Sequence, residues 1–112
     1  MDVQETAASL RQEFRRGTLI MLVLSRLTQP TYGYNLLKKL NDHGIPMEAN
    51  TLYPLMRRLE SQGLLESQWD TTESKPRKYY QITADGMGVL EAVKKYWTEF
   101  TANVNSLLEE EK

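Results

Sequence analysis

The 112 residues contain no cysteine and a single histidine, His43. The missing thiols exclude a disulfide scaffold, a cysteine-ligated zinc and a thiol nucleophile together. Long apolar runs are missing too. The longest, Leu19 to Leu24, has six residues, where a membrane span needs about 20. The chain opens with Asp2 and Glu5 and has no basic-then-apolar leader, so the reading is a cytoplasmic protein without a secretory signal or membrane partner. There is no glycine-rich phosphate loop and no histidine beside a serine nucleophile or paired carboxylates. That argues against an enzyme, and no catalytic residue, cofactor or metal site is expected.

What is present is an ordinary globular composition, 40% hydrophobic and 26% charged, in a length suited to one domain. The net charge of −1 gives no general attraction to nucleic acid, but its distribution is uneven. From Arg26 to Tyr80 eight Lys/Arg stand against six acids, whereas from Gln81 to Lys112 three bases stand against six acids. A basic middle and an acidic end suggest one face for an anionic partner and another for something else.

Breaks at Gln29-Pro30-Thr31, His43-Gly44-Ile45-Pro46, Gln62-Gly63, Thr71 to Pro76 and Thr83 divide the chain. The spacing predicts a first helix from about Ala7 to Leu27, apolar nearly all round after Thr18 and ended by Pro30. Thr31 is the expected N-cap of a second helix, Tyr32 to His43, with Leu36, Leu37 and Leu40 as its stripe and Gly44 just past its end. A third helix runs from near Glu48 to before Gly63. Leu52, Leu55, Met56 and Leu59 mark its core face, and Asn50, Thr51, Pro54, Arg57, Arg58 and Ser61 lie off it. Pro54 is expected to be tolerated by its nearness to the helix start. Leu64 to Trp69 and Arg77 to Ile82 read as two strands joined by a polar connection. In the second, Tyr80 and Ile82 fall on the core side and Tyr79 on the outer side with Arg77. Thr83 then caps a long helix to about Glu110, with Val89, Val93, Trp97, Phe100, Val104 and Leu107 or Leu108 spaced as a helix-packing seam.

The expected fold is therefore mainly α with a small β-hairpin (α+β), a winged helix-turn-helix with a long C-terminal helix for dimerisation. Residues 1–83 make the DNA-binding domain, with the first helix also in the dimer interface, and residues 84–112 the dimerisation helix. The third helix would enter the major groove of double-stranded DNA. Asn50 and Thr51 suit base edges at its N-terminal end, Arg57 a phosphate or guanine, and Tyr53 and Tyr32 a phosphate oxygen. Lys75, Arg77 and Lys78 on a flexible wing loop would add salt-sensitive backbone affinity. Each residue also has a plainer reading. Asn50 and Thr51 suit helix capping, Arg57 and Arg58 a solvated face, His43 a favourable charge at a helix end, and Glu109-Glu110-Glu111 a solvated tail. A winged-helix module that binds protein rather than DNA is the alternative function.

One ordered set of residues is more specific. Tyr32-Gly33-Tyr34, Thr51-Leu52-Tyr53-Pro54-Leu55 leading to Arg58-Leu59-Glu60 and Gly63-Leu64, then Arg77-Lys78-Tyr79-Tyr80 with Thr83 and Gly86, resembles the PadR family of transcriptional regulators from roughly Gly17 to Leu90. The resemblance implies a homodimer, built through its first and last helices, and most often a repressor relieved by small molecules. A narrower resemblance is to the short, multidrug-binding PadR-like repressors with one C-terminal helix. In these a tryptophan from each protomer sandwiches planar aromatic ligands across the dimer axis. Trp97 stands at the matching place, and Phe14 and Met21, with Thr18 and Ser25, share a face of the first helix that can line the same pore. The resemblance thus implies an effector site of Phe14, Met21 and Trp97, and an interface of Val93, Trp97, Phe100, Val104, Leu107 and Leu108. The plainer alternatives are a dimer-core seam for Trp97 and ordinary core for Phe14 and Met21.

Overall fold

The computed structural model describes residues 1–110. The sequence-based expectations for Glu111 and Lys112, the end of the acidic tail and of the 84–112 segment, lie outside the described residues. In chain order the elements are α1 (Val3–Ser25), β1 (Thr31–Tyr32), α2 (Gly33–Asp42), α3 (Ala49–Ser61), β2 (Leu65–Asp70), β3 (Arg77–Ile82) and α4 (Ala84–Glu110). The sheet is antiparallel, with β3 between β1 and β2. This is the expected α+β winged helix-turn-helix with its long C-terminal helix, and it has one strand more than the sequence suggested.

The extra strand corrects the expected role of Thr31. Thr31 and Tyr32 pair with Tyr80 and Tyr79, and the Thr31 hydroxyl donates back to the Gln29 carbonyl at 2.8 Å rather than to a helix amide. Tyr32 becomes the N-cap of α2, without a side-chain cap bond. A two-residue strand leaves no alternation to detect. At the other end of the chain's first helix, α1 starts four residues earlier than expected. Asp2 accepts from the amides of Gln4 and Glu5 at 2.9 and 3.2 Å, satisfying donors that a helix start leaves open.

The two turns that set the helices follow from glycine. Gly44 and Gly63 have φ of +77° and +80°, where a side chain is strained. In each case the next residue's amide reaches back across the helix end, Ile45 to the Leu40 carbonyl and Leu64 to the Leu59 carbonyl, both at 2.9 Å. The second bond of this motif runs from each glycine amide, to Asn41 and Glu60. Asn41 then clamps the α2–α3 turn. Its amide donates to the Met47 carbonyl at 3.0 Å and its oxygen accepts from the Met47 amide at 3.1 Å. Pro54 lies deeper than anticipated, as the sixth residue of α3. It is beyond the first turn, so the amide that would meet the Asn50 carbonyl is missing, and the helix is held by packing rather than by a complete ladder.

The core is aliphatic. Leu19, Val23, Leu24 and Leu27 from the end of α1 meet Leu36 and Leu40 of α2, Leu52, Met56 and Leu59 of α3, Leu65 of β2, Tyr80 and Ile82 of β3, and Leu90 of α4. No polar or charged residue is buried among the described residues. The core thus uses only the second half of α1 and the first turns of α4. Tyr80 and Ile82 face it as the alternation requires. Tyr79 was expected outside and is half-buried, because β1 and Tyr32 cover it.

Helix α4 is docked at its start. The Thr83 hydroxyl accepts from the Gly86 amide at 3.0 Å and donates to the Gly63 carbonyl at 2.6 Å. A Cβ on Gly86 would stand 2.2 Å from the Leu64 carbonyl oxygen, so only glycine allows this approach. Gly86→Ala is therefore expected to lower stability by about 1–3 kcal/mol through overpacking against backbone. Gly88→Ala, where a Cβ meets nothing within 4 Å, should raise it by up to about 1 kcal/mol through helix propensity. Urea unfolding of the two variants measures both signs.

Candidate nucleic-acid interface

The off-core side of α3 is exposed at Asn50, Thr51, Pro54, Arg57, Arg58 and Ser61. Among the described residues, no hydrogen bond or ion pair engages the side chains of Asn50, Thr51, Arg57 or Lys75. All four side chains are exposed. Tyr53 is half-buried because its ring lies against Gly33, where a Cβ would be 3.1 Å from Cε1. The helix thus seats one aromatic ring on the start of α2 and leaves its polar face open.

Between this face and the β2–β3 hairpin lies a cleft of about 890 Å³. Of the candidate DNA contacts, it brings together Tyr32, Tyr53, Arg57, Lys75, Arg77 and Lys78. It adds Gly33, Tyr34, Asn35, Trp69 and Tyr80. Asn50 and Thr51 stand outside it, toward the N-terminal end of α3. No carboxylate is among the lining residues, so the cleft presents aromatic walls and cations to whatever enters.

Two expected contacts are already committed within the protein. The Tyr32 hydroxyl donates to Asp70 Oδ2 at 3.0 Å and accepts from the Tyr79 hydroxyl. It is therefore not the free phosphate donor anticipated from its place at a helix start. Its hydrogen bonding with Tyr79, burial and its own bond to the Asp70 carboxylate hold its proton more tightly than an ordinary phenol's. Lys78 Nζ lies 3.4 Å from Glu60 Oε1, and its ammonium sits over the rings of Tyr80 and Trp69 at 5.1 and 5.9 Å. Burial lowers the Lys78 pKa, and the Tyr80 hydroxyl and Glu60 carboxylate more than reverse this. Arg77 and Lys78 also belong to strand β3, so of the three wing cations only Lys75 sits in the loop. Arg77 lies over the Tyr32 ring at 5.2 Å and pairs loosely with Glu73 at 3.8 Å. An exposed pair of this kind contributes little and yields readily to a phosphate.

The sequence reading missed Trp69 and Asp70. Trp69 shares its strand parity with Leu65, which pointed it toward the core. The hairpin outruns the core at that point, and Trp69 is left 63% exposed on the cleft wall. Asp70, the last residue of β2, read only as the start of the polar, turn-forming connection.

The residues grouped as an effector site line neither the wing cleft nor the small depression around Asn35, Lys38, Lys39, Asp42 and His43. Phe14 is 77% exposed, Trp97 is 45% exposed and Met21 is half-buried. His43 Nδ1 lies 2.8 Å from the Lys39 carbonyl, an ordinary helix-end arrangement. Among the described residues no group of three or more His, Asp or Glu is placed to hold a metal, and no helix is long and apolar enough to cross a membrane.

A helix-turn-helix backed by a three-stranded sheet, with a hairpin beside the second helix of the pair, defines a winged helix-turn-helix protein. The family model described as "Transcriptional regulator PadR-like family" matches residues 20–92, and the chain belongs to the PadR family of transcriptional regulators. It is similar to a solved PadR family regulator from Eggerthella lenta, at 59% identity and a TM-score of 0.91 over 95% of each chain. It is also similar to a PadR-like regulator from Bacillus cereus, at 33% identity and a TM-score of 0.76 over 86% of this chain and 96% of that one. Transcriptional regulator Rv3488 of Mycobacterium tuberculosis is 29% identical over 94 residues, covering 83% of this chain and 88% of the relative.

The Asp70 carboxyl is held below its ordinary value of 3.8 by the Thr72 amide, the Thr72 hydroxyl and the Tyr32 hydroxyl. Its contribution to stability is complete above that ordinary value and is lost as pH falls through the lower, folded one. The difference in urea midpoint between the parent and Asp70→Asn is expected to be constant from neutral pH down to about pH 4 and to shrink below it.

Proposed function

We propose that the chain binds operator DNA as a homodimer, represses transcription there, and is released by a planar aromatic effector at the dimer seam. The observation that carries the DNA reading is the unengaged polar face of α3 beside a cleft lined by cations and no carboxylate. α3 enters the major groove, where Asn50 and Thr51 meet base edges and Arg57 a guanine or a phosphate. Lys75 and Arg77 meet the flanking phosphates, and Tyr53 of α3 offers its hydroxyl to a phosphate oxygen. Lys78 adds its charge from inside the hairpin rather than by direct contact.

Dimerisation is supported by apolar side chains that a lone chain leaves in water. Phe100, Val104, Leu107 and Leu108 of α4 are 37–63% exposed, and Leu10 and Phe14 of α1 at least 51%. A surface this apolar on two helices that extend beyond the domain calls for a partner helix face. In this reading residues 1–83 serve DNA, with α1 also at the dimer interface, and residues 84–112 serve pairing. Pairing along α4 through Val93, Trp97 and Phe100 brings two copies of Trp97 together, with Phe14 and Met21 on the neighbouring helix. That arrangement supports an aromatic-sandwich site.

A mobility shift with a duplex from upstream of its own coding sequence tests the first part. Arg57→Ala is expected to weaken binding by roughly tenfold to a hundredfold, and the parent's affinity to fall steeply with salt. Equal affinity of parent and Arg57→Ala at every salt concentration would exclude the α3 reading. For the effector, a planar aromatic dye should quench Trp97 fluorescence in a Trp69→Phe variant, and Trp97→Ala should bind the same dye at least about tenfold more weakly. Sedimentation that finds only monomer at micromolar concentration would remove both the dimer and the sandwich.

A further inference from the structure

A carboxylate on the wing of a protein that grips a polyanion needs an explanation. Asp70 ends β2 at the point where the wing loop begins, opposite Arg77 in the ladder. Both of its oxygens are occupied. Oδ1 accepts from the Thr72 amide at 3.0 Å and the Thr72 hydroxyl at 2.7 Å, which folds the first residues of the loop. Oδ2 accepts from the Tyr32 hydroxyl at 3.0 Å, and that hydroxyl accepts in turn from Tyr79. The Tyr32 and Tyr79 rings are stacked, with centroids 3.8 Å apart. Tyr32 is the residue immediately before α2, and its neighbour Gly33 carries the Tyr53 ring of α3.

The hairpin is therefore braced in two places. Its inner half is held to α3 by Glu60, whose carboxylate takes the Ser67 hydroxyl and the Lys78 ammonium. Its outer half, which bears Lys75 and Arg77, is held by the Asp70–Tyr32–Tyr79 chain to the start of α2. Resting on the DNA-binding reading above, we infer that Asp70 is a positioning residue. Through Tyr32 it sets the outer wing against the helix-turn-helix, so that Lys75 and Arg77 reach phosphates while α3 lies in the groove.

The alternative is that Asp70 acts only as a negative charge near DNA, and the two roles predict opposite signs. Removing a bare repulsive charge tightens binding. Removing a positioning group weakens it and disengages the wing cations, which flattens the dependence of log affinity on log salt. The experiment measures that slope and the affinity for the upstream duplex in the parent, Asp70→Ala, Tyr32→Phe, a Lys75→Ala/Arg77→Ala double variant, and the triple combination with Asp70→Ala.

The expected result is a loss of roughly tenfold for Asp70→Ala, with the slope flattened by up to roughly 3 to 4 units if two wing contacts in each of two protomers are lost. In the double-variant background Asp70→Ala should cost almost nothing more, because the groups it positions are gone. Tyr32→Phe removes the hydroxyl without changing charge and should reproduce the flattened slope. If Tyr32 instead contacts a phosphate itself, Tyr32→Phe weakens binding with the slope unchanged and Asp70→Ala does not weaken it. Tighter or equal binding by Asp70→Ala at an unchanged slope overturns the inference alone. Absence of salt-dependent duplex binding by the parent overturns the DNA reading and this inference with it. Should Asp70→Ala fail to fold, Tyr32→Phe, which breaks the same bond to Asp70 Oδ2 without changing charge, decides alone between a flattened and an unchanged slope.

Discussion

The backbone junction around Thr83 joins four parts of this molecule. The Ile82 amide donates to the Leu27 carbonyl at 2.8 Å, the Thr83 amide to Leu64 at 3.1 Å, and the Thr83 hydroxyl to Gly63. One short stretch of chain thereby ties the end of α1, the end of α3, the base of the wing and the start of α4. Gly86 allows α4 to approach the Leu64 carbonyl closely enough for the junction to form. Any mechanical relation between α4 and α3 has to pass through these bonds and through the aliphatic core beneath them.

Above that junction the molecule separates apolar from polar work by distance along its helices. The core uses the second half of α1 and the first turns of α4 and, among the described residues, contains no buried charged side chain. The remaining halves of both helices carry exposed apolar residues, among them Leu10 and Phe14 of α1 and Phe100, Leu107 and Leu108 of α4. On the opposite side, α3 spends three residues on the core, Leu52, Met56 and Leu59, and turns its unpaired polar residues outward. The near-neutral net charge is compatible with an anionic partner because the acids near the cleft are occupied. Glu60 holds Ser67 and Lys78, and Asp70 holds Thr72 and Tyr32. The outward-facing cations are left without strong partners.

Elements with a clear period or a glycine stop were legible in advance. The stripe of α3, the Gly44 and Gly63 helix ends, the Tyr80–Ile82 core face of β3 and the Thr83 cap all appear where the residues put them. The misplaced features share one cause, that they depend on a neighbour distant in sequence. Thr31 is a strand residue only because Tyr80 lies beside it. Tyr32 is withdrawn from the solvent face by Asp70, 38 positions away. Lys78 is drawn to Glu60, and Trp69 keeps the parity of a core residue at a point where the core has ended.

The amino-acid sequence alone determined the helices, their glycine-marked C-terminal ends, the hairpin and the family, because periodicity and glycine conformation act within a few residues and need no tertiary partner. Which polar groups remain free for another molecule was decided only by the tertiary structure. A hydroxyl, ammonium or carboxylate is available only if no partner has been folded against it, and those partners come from other elements of the chain.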